Sequence, residues 1–185
     1  MRWVVVLFLL LSGCAHKGYL LPPLPKPQEL LHCQESIGVE VELSDYLLLG
    51  KIAFKEHEKL YLLDQTFAQD SEEFFEKELV RYLRKALKDK KVYRYPWEVE
   101  KMPQMRLRLV VDDLFVDRDR RVGIARAILF IEDRPQEIVV QTRWHKDMVA
   151  TLQESINVLF EAVAKEVGRF CRQARDTRLQ PDSGR

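Results

Sequence analysis

The sequence predicts a single α+β domain, built as a mainly antiparallel sheet with two helices packed on one face. Three observations lead to this fold class. The segment Ile37–Leu43 alternates apolar and polar residues as a half-buried strand does. Two long segments carry apolar residues at helical spacing, and three further strands joined by short charged turns lie between them. This order favours an α+β fold over a parallel α/β fold.

The first half of the domain supplies a strand and a candidate hairpin. In the first strand the apolar positions are Ile37, Val39, Val41 and Leu43, and they alternate with Gly38, Glu40 and Glu42. Two apolar pieces follow, Leu47–Phe54 and Leu60–Leu63, on either side of the charged stretch KEHEK (55–59). The pattern indicates a hairpin or a strand-loop-strand unit.

The first helix is predicted over Ser71–Lys88. Asp70 is placed to cap it, and Glu73 three residues later completes a pattern like a capping box. The following stretch KDKKVYRYPW (88–97) has two interpretations. It is either a contact surface for anionic headgroups or a partner, or a helix end that enters a short strand with half-buried aromatic residues.

The second half of the domain reads as a three-strand meander and a final helix. The strands are centred on Leu107–Val111, Gly123–Ile131 and Ile138–Trp144, and the turn sequences are DRDRR (117–121) and DRPQE (133–137). Asp147 is placed to cap the last helix. Its apolar stripe consists of Val149, Leu152, Ile156, Leu159, Phe160, Val163, Val167 and Phe170.

The N-terminus has the features of a secretory signal peptide. Arg2 is followed by the apolar run Val4–Leu11, which is far shorter than the roughly 20 residues of a membrane-spanning helix. The sequence Leu11-Ser12-Gly13-Cys14 matches the bacterial lipobox, which implies cleavage before Cys14 and a lipid on its thiol. The alternative is an ordinary signal peptide, or a stub of transmembrane helix with a chance cysteine. Ala15 in place of aspartate favours the outer membrane.

Four segments are therefore predicted. They are a signal peptide at 1–13, a lipidated cysteine with a proline-rich tether at 14–35, the α+β domain at 36–174 and a disordered tail at 175–185. The tether contains YLLPPLPKPQ (19–28), whose prolines favour an extended segment. The tether and the exposed face of the first strand are candidate partner contacts, and an unpaired sheet edge at that strand could accept a partner strand.

Cys33 and Cys171 remain after Cys14 is assigned to lipidation. An oxidising compartment favours a disulfide between them, which would connect the start of the domain to its last helix. Two unpaired, half-buried thiols are the alternative, since free cysteine often packs as a small apolar residue.

Chemistry-bearing residues form no recognisable catalytic or metal-binding motif. The histidines are His16, His32, His57 and His145, and no pair has metal-ligand spacing. Asp112, Asp113, Asp117 and Asp119 lack the glycine and glutamate of a calcium loop, and they alternate with arginines as a solvated hairpin tip does. Thirty basic and 29 acidic residues give no basic character for nucleic-acid binding. We expect no enzyme activity, no metal and no cofactor beyond the lipid on Cys14.

The whole pattern resembles the ABC-type transport auxiliary lipoproteins, the PqiC-like or YmbA-like group. The residues that carry the resemblance are the lipobox at Cys14, YLLPP (19–23), SIGVEVELSDYL (36–47), the helix FFEKELVRYLRKAL (74–87) and QTRWHKD (141–147) before the last helix. Where such proteins often have a tryptophan before the first helix, this chain has LDQTFAQD (63–70).

The resemblance implies a non-catalytic role at the periplasmic face of the outer membrane. Such a lipoprotein would work with an MCE-domain protein and an ABC permease and its ATPase, which move lipids or other hydrophobic molecules between membranes. The family also suggests a homo-oligomeric ring. Two other functions are considered: a scaffold lipoprotein of another outer-membrane assembly or secretion machine, and a lipid-anchored hydrolase that would depend on His57 and His145.

Overall fold

The computed structural model describes residues 27, 33, 35–67, 70–87 and 91–179. The predicted signal peptide, Cys14 and most of the tether lie outside these residues. The strands are β1 (Ile37–Leu43), β2 (Lys51–Glu56), β3 (Lys59–Thr66), β4 (Val92–Arg94), β5 (Met105–Asp117), β6 (Val122–Ile131) and β7 (Arg134–Arg143). The helices are α1 (Asp45–Leu48), α2 (Ser71–Ala86) and α3 (Met148–Leu179), with a 3-10 turn at Val99–Lys101.

The α+β class is confirmed, and the seven strands form one sheet around the long strand β5. Strand β6 lies along one side of β5, and β7 pairs with β6. On the other side, β1 pairs with the first half of β5 and β2 with its last residues, so two arms form, β1–β4 and β2–β3. The sheet therefore has edges at β7, β4 and β3 within the described residues.

The sheet is mixed, which corrects the expectation of a mainly antiparallel one. The pairs β1–β4, β1–β5 and β2–β5 are parallel, whereas β2–β3, β5–β6 and β6–β7 are antiparallel. The predicted meander accounts for the antiparallel half. The parallel half arises from pairings between strands far apart in sequence, and residue alternation within a strand is the same for both directions.

One face of the sheet carries both long helices, as predicted. Alternate strand residues such as Val39, Leu109 and Leu129 point toward Leu79 of α2 and Ile156 of α3, and all five are fully buried. Such burial supplies the main favourable term in folding. The opposite face has no long helix packed on it within the described part of the chain, and it is called the outer face below.

Phe160 of α3 forms the centre of the contact between the two helices. Its side chain is 0% exposed, and its ring packs edge-to-face against Phe75 and Tyr82 of α2 at centroid distances of 6.1 and 6.2 Å. Burial also raises the pKa of Tyr82 to about 12. Edge-to-face pairs add stability beyond the area that they bury.

We expect Phe160→Ala to lower the free energy of unfolding by about 3–5 kcal/mol, because it removes a large buried ring and leaves a cavity between the helices. Urea denaturation measures the change. Phe170→Ala, a partly buried position on the same helix, serves as the matched control and should have a smaller effect. Equal losses for the two variants would contradict a packing centre at Phe160.

The helix starts are set by the predicted aspartates, whereas both helix ends differ from the prediction. Oδ1 of Asp70 accepts the backbone N–H of Glu73 at 2.8 Å, and Oδ1 of Asp147 accepts that of Ala150 at 2.8 Å. Helix α2 ends at Ala86, two residues before the predicted Lys88. Helix α3 continues to Leu179, so the predicted disordered tail is wrong for residues 175–179, while residues 180–185 lie outside the described part.

The structure joins Cys33 to Cys171 in a disulfide, with 5.3 Å between the two Cα atoms. This separation lies within the range that disulfides span without backbone distortion. The bond encloses almost the whole domain, since 138 positions separate the two cysteines. It fixes the segment before β1 to α3.

Among the described residues, no helix combines the length and the apolar character needed to cross a bilayer.

Candidate partner-binding groove

A groove of about 360 Å³ lies on the outer face, where β1, β4 and β5 meet the end of β6. We call it the outer groove. Its lining combines aromatic rings with charged groups, and the main contributors are Glu40, Tyr95, Trp97, Arg106, Arg108 and Phe130.

The strand registers place these residues side by side. Glu40 of β1 lies opposite Arg108 of β5, and Arg108 lies opposite Phe130 of β6. Residues opposite each other on neighbouring strands share a face of the sheet. Because the alternate positions Val39, Leu107 and Leu109 are buried in the core, this row must point outward.

Trp97 forms one wall of the groove by packing over the start of β1. A Cβ atom built at Gly38 would lie 2.5 Å from both Trp97 Cε2 and Pro103 Cγ, so glycine is the residue that permits this close approach. The ring of Tyr95 packs edge-to-face on the indole at 5.2 Å. The indole Nε1 is buried with no hydrogen-bond acceptor among the described residues. Packing therefore holds this side chain in place.

Two arginines lie over aromatic rings in the groove. The guanidinium carbon of Arg108 is 4.5 Å from the centroid of Phe130, and its Nη1 is 3.2 Å from Oε1 of Glu42. The guanidinium carbon of Arg106 is 5.9 Å from the centroid of Trp97. Arg106 forms no ion pair with any residue that the structure describes, so its N–H groups are available to an anionic partner.

The groove thus suits a segment that carries both a carboxylate and apolar side chains. Arg106 can bind the carboxylate in a bidentate manner, while Trp97, Tyr95 and Phe130 offer apolar surface beside it. The carboxylates of Glu40 and Asp133 also line the groove and favour a basic group in the same segment. This arrangement can recognise a partner, and the described residues that line it include no serine, cysteine or histidine.

The structure bears on two predictions about the first strand, its exposed face and its unpaired edge. Glu40 and Glu42 lie on the outer face and are partly exposed, as the alternation of β1 predicts. The expected unpaired edge at β1 is wrong, because β1 pairs with β4 on one side and with β5 on the other. A partner strand therefore has no free edge of β1 with which to pair.

The stretch 88–97 contributes its aromatic end to the groove. Tyr95 is 47% exposed and Trp97 is partly buried, while residues 88–90 lie outside the described part of the chain. Arg106, Arg108 and Phe130 were not singled out from the sequence. The signal that could have found the arginines is the stretch RLRL (106–109), whose alternation places both on the same face.

The acidic cluster of the β5–β6 turn is engaged in local structure. Asp117 is buried and its Oδ1 accepts the backbone N–H of Arg120 at 2.9 Å, while Oδ2 of Asp119 accepts that of His57 at 2.6 Å. Asp113 lies 3.7 Å from Arg126 in an ion pair. His145 lies exposed just beyond β7.

One group of three possible metal ligands comes together among the described residues, namely Cys33, Glu35 and Cys171. Its two sulfur atoms are bonded to each other in the disulfide. They are therefore not thiolates, which are the form in which cysteine binds metal.

Comparison with known proteins identifies the fold. No protein-family model matches the chain, and no curated protein does. The crystal structure of protein XCC0632 from Xanthomonas campestris, assigned to the family DUF330, matches with a TM-score of 0.66 and 13% identity, covering 89% of this chain and 100% of that one. The chain has the fold of this DUF330 protein.

A second solved structure, of an uncharacterized protein, has a similar fold. It matches with a TM-score of 0.58 and 15% identity, over 83% of this chain and 98% of its own. Both likenesses cover more than four fifths of this chain and nearly all of the other chain, so the shared feature is the overall fold.

Proposed function

We propose that the chain is a lipoprotein of the bacterial outer membrane that faces the periplasm. In this role it is a non-catalytic auxiliary component of an MCE/ABC-type system that moves lipids or other hydrophobic molecules between membranes. The observation that carries the proposal is the DUF330 fold over 89% of the chain, since the PqiC-like and YmbA-like lipoproteins belong to DUF330. The lipobox residues Leu11–Cys14 give independent support from the sequence.

Each part of the chain has a task in this proposal. Acyl chains on Cys14 hold the protein to the membrane, and the tether at 14–35 separates the domain from the bilayer surface. The outer groove docks the MCE-domain partner through Arg106 and the aromatic residues around it. The permease and its ATPase use ATP elsewhere, so the chain itself needs no cofactor.

Affinity capture tests this function. The full-length protein with a C-terminal tag is isolated from native membranes in mild detergent, and its partners are identified by mass spectrometry. We expect an MCE-domain protein together with its permease. Recovery of only a secretion or envelope-assembly complex would contradict the transport role and favour the scaffold function.

Charge reversal in the outer groove tests the docking site. Arg106→Glu should weaken binding of the MCE protein at least tenfold, because reversing an interface charge that binds a carboxylate costs about 2 kcal/mol or more. Arg143→Glu is the matched control, since Arg143 lies exposed on β7 opposite Val122, at the far end of β6 from Phe130. Unchanged recovery with Arg106→Glu would place the contact outside the groove.

A further inference from the structure

The three edges of the sheet are not equally protected against pairing with another strand. Strand β7 carries Pro135 and several charged residues, such as Arg134 and Glu137, and β4 has only three residues. Proline, charge and short length are the usual means of blocking an edge. Strand β3 has eight residues, and its stretch Leu60–Leu63 contains neither proline nor charge.

The side chains of this stretch are exposed on both faces of the sheet. Leu60, Tyr61 and Leu62 are 48%, 42% and 46% exposed. Tyr61 stacks on Phe54, which belongs to the core, so it lies on the helix-covered side. Leu62 lies opposite Ala53, which neighbours Phe54 in β2 and therefore faces the other side of the sheet. Leu60 and Leu62 thus lie on the outer face. An exposed apolar edge of this kind is a site for pairing with another chain.

The turn before β3 determines which backbone groups are available. His57 and Glu58 form a two-residue turn with φ of 48° and 63°, and Glu56 lies opposite Lys59. The two residues that flank such a turn form hydrogen bonds with each other. Along the strand, the backbone N–H and C=O groups of successive residues then point alternately toward the partner strand and away from it. The N–H and C=O groups of Leu60 and Leu62 therefore point away from β2, where a further strand would pair.

A strand that fits this edge must be extended, apolar on both faces and free of charge. Within the described residues, β3 itself is the exposed edge with that character, so a second copy of the chain offers the complement. We propose that two copies pair through β3, antiparallel about a two-fold axis, with Leu60 of each copy opposite Leu62 of the other.

Symmetry and the regularity of β3 select this register. A two-fold axis perpendicular to the sheet keeps like faces together, so only residues of the same face can lie opposite each other. The β2–β3 pairing shifts register between Lys51 and Ala53, which leaves Lys59–Leu62 as the regular part of β3. Centring the contact on Tyr61 uses this regular part, whereas centring it on Leu62 would place Leu60 against Asp64 in the irregular part.

The contact brings apolar side chains together on both faces. Four leucines, Leu60 and Leu62 of each copy, meet on the outer face, and the two Tyr61 rings meet on the other. An isologous contact of this kind closes on itself and produces a dimer. A ring would need a second contact surface in addition to β3.

Size measurement of the full-length protein in detergent, by light scattering after gel filtration, tests the contact. We expect a dimer for the unmodified chain and at least a tenfold weaker association for Leu62→Lys, because two lysines would then lie in the leucine cluster. Val139→Lys is the matched control, since Val139 is an exposed apolar residue (56%) on the β7 edge. A monomeric unmodified chain, or an oligomer that Leu62→Lys leaves intact, would overturn the proposal.

Cross-linking tests the register separately from stability. In the proposed dimer the two Tyr61 residues form a non-hydrogen-bonded pair, with Cβ atoms about 4.5–5.5 Å apart, so Tyr61→Cys should give a disulfide-linked dimer on mild oxidation of native membranes. Cys33 and Cys171 are already bonded to each other and do not compete. Val139→Cys should remain monomeric in the same assay. A Tyr61→Cys chain that cross-links no better than Val139→Cys would refute this register.

Discussion

Replacing Cys14 with alanine should abolish fatty-acid labelling of the chain in growing bacteria. The lipobox chemistry uses the Cys14 thiol as the lipid acceptor, and alanine offers no nucleophile in its place. The variant should also keep residues 1–13, because cleavage at a lipobox follows lipidation. Metabolic labelling with an alkyne fatty acid measures the first effect, and the intact mass of the protein measures the second.

The matched control for this experiment is Cys33→Ser, which removes a different cysteine and should leave labelling unchanged. A domain exported behind a cleavable signal that lacks a lipobox should move from the membrane fraction to the soluble periplasmic fraction. Each buried CH₂ of an acyl chain contributes about 0.8 kcal/mol to membrane binding, and stable anchoring takes two signals such as two chains. Labelling that survives in Cys14→Ala would contradict the proposed anchor.

Loss of the disulfide should produce a large change in domain stability. With 138 positions between the cysteines, the loop-entropy model gives about 5 kcal/mol of stabilisation, since the bond restricts the unfolded chain. Cys33→Ser combined with Cys171→Ser should therefore lower the free energy of unfolding by up to about that amount. Thermal and urea unfolding of the purified full-length protein measure the difference.

Reduction of the unmodified protein provides an internal comparison for the double variant. Unfolding in the presence of a reductant should match that of the double serine variant without reductant. The double variant itself should not respond to the reductant. A double variant as stable as the unmodified protein would show that residual structure in the unfolded chain, and not loop entropy, dominates.

Local patterns in the sequence were sufficient for the elements whose burial is one-sided. The bounds of β1 agree with the prediction because a strand with one buried face alternates without interruption, as Ile37–Leu43 does. The starts of α2 and α3 agree because Asp70 and Asp147 satisfy the first free N–H groups of each helix.

Features that depend on contacts between distant residues were not predictable in the same way. Helix α1 overlaps the start of the predicted hairpin piece Leu47–Phe54, and its Tyr46 hydroxyl accepts the backbone N–H of Leu114 at 2.7 Å. That contact lies next to the bulge between Val111 and Asp113 in β5, where two aspartates follow each other in the sequence. Burial raises the pKa of Tyr46 to about 12. A bulge and its partner hydroxyl leave no periodic signal in either segment.

The sequence indicates which strand residues of the outer groove face outward, but it does not indicate that they lie side by side. Alternation in β1 and β5 places Glu40 and Arg108 on outward-facing positions. Their meeting depends on the parallel register between the two strands, and the position of Trp97 depends on the absence of a side chain at Gly38. Neither of these is encoded in the spacing of residues along one segment.

The disulfide also determines how a mechanical load would pass through the domain. A pull on the chain before Cys33 reaches the bond between Cys33 and Cys171 before it reaches β1. The force then passes covalently into α3, a helix whose apolar side is packed across the sheet. The strands between the two cysteines lie within the closed loop, so a force between the two chain ends bypasses them. A force on the N-terminal side of a domain tethered in this way therefore does not act first on the pairing of β1 with the sheet.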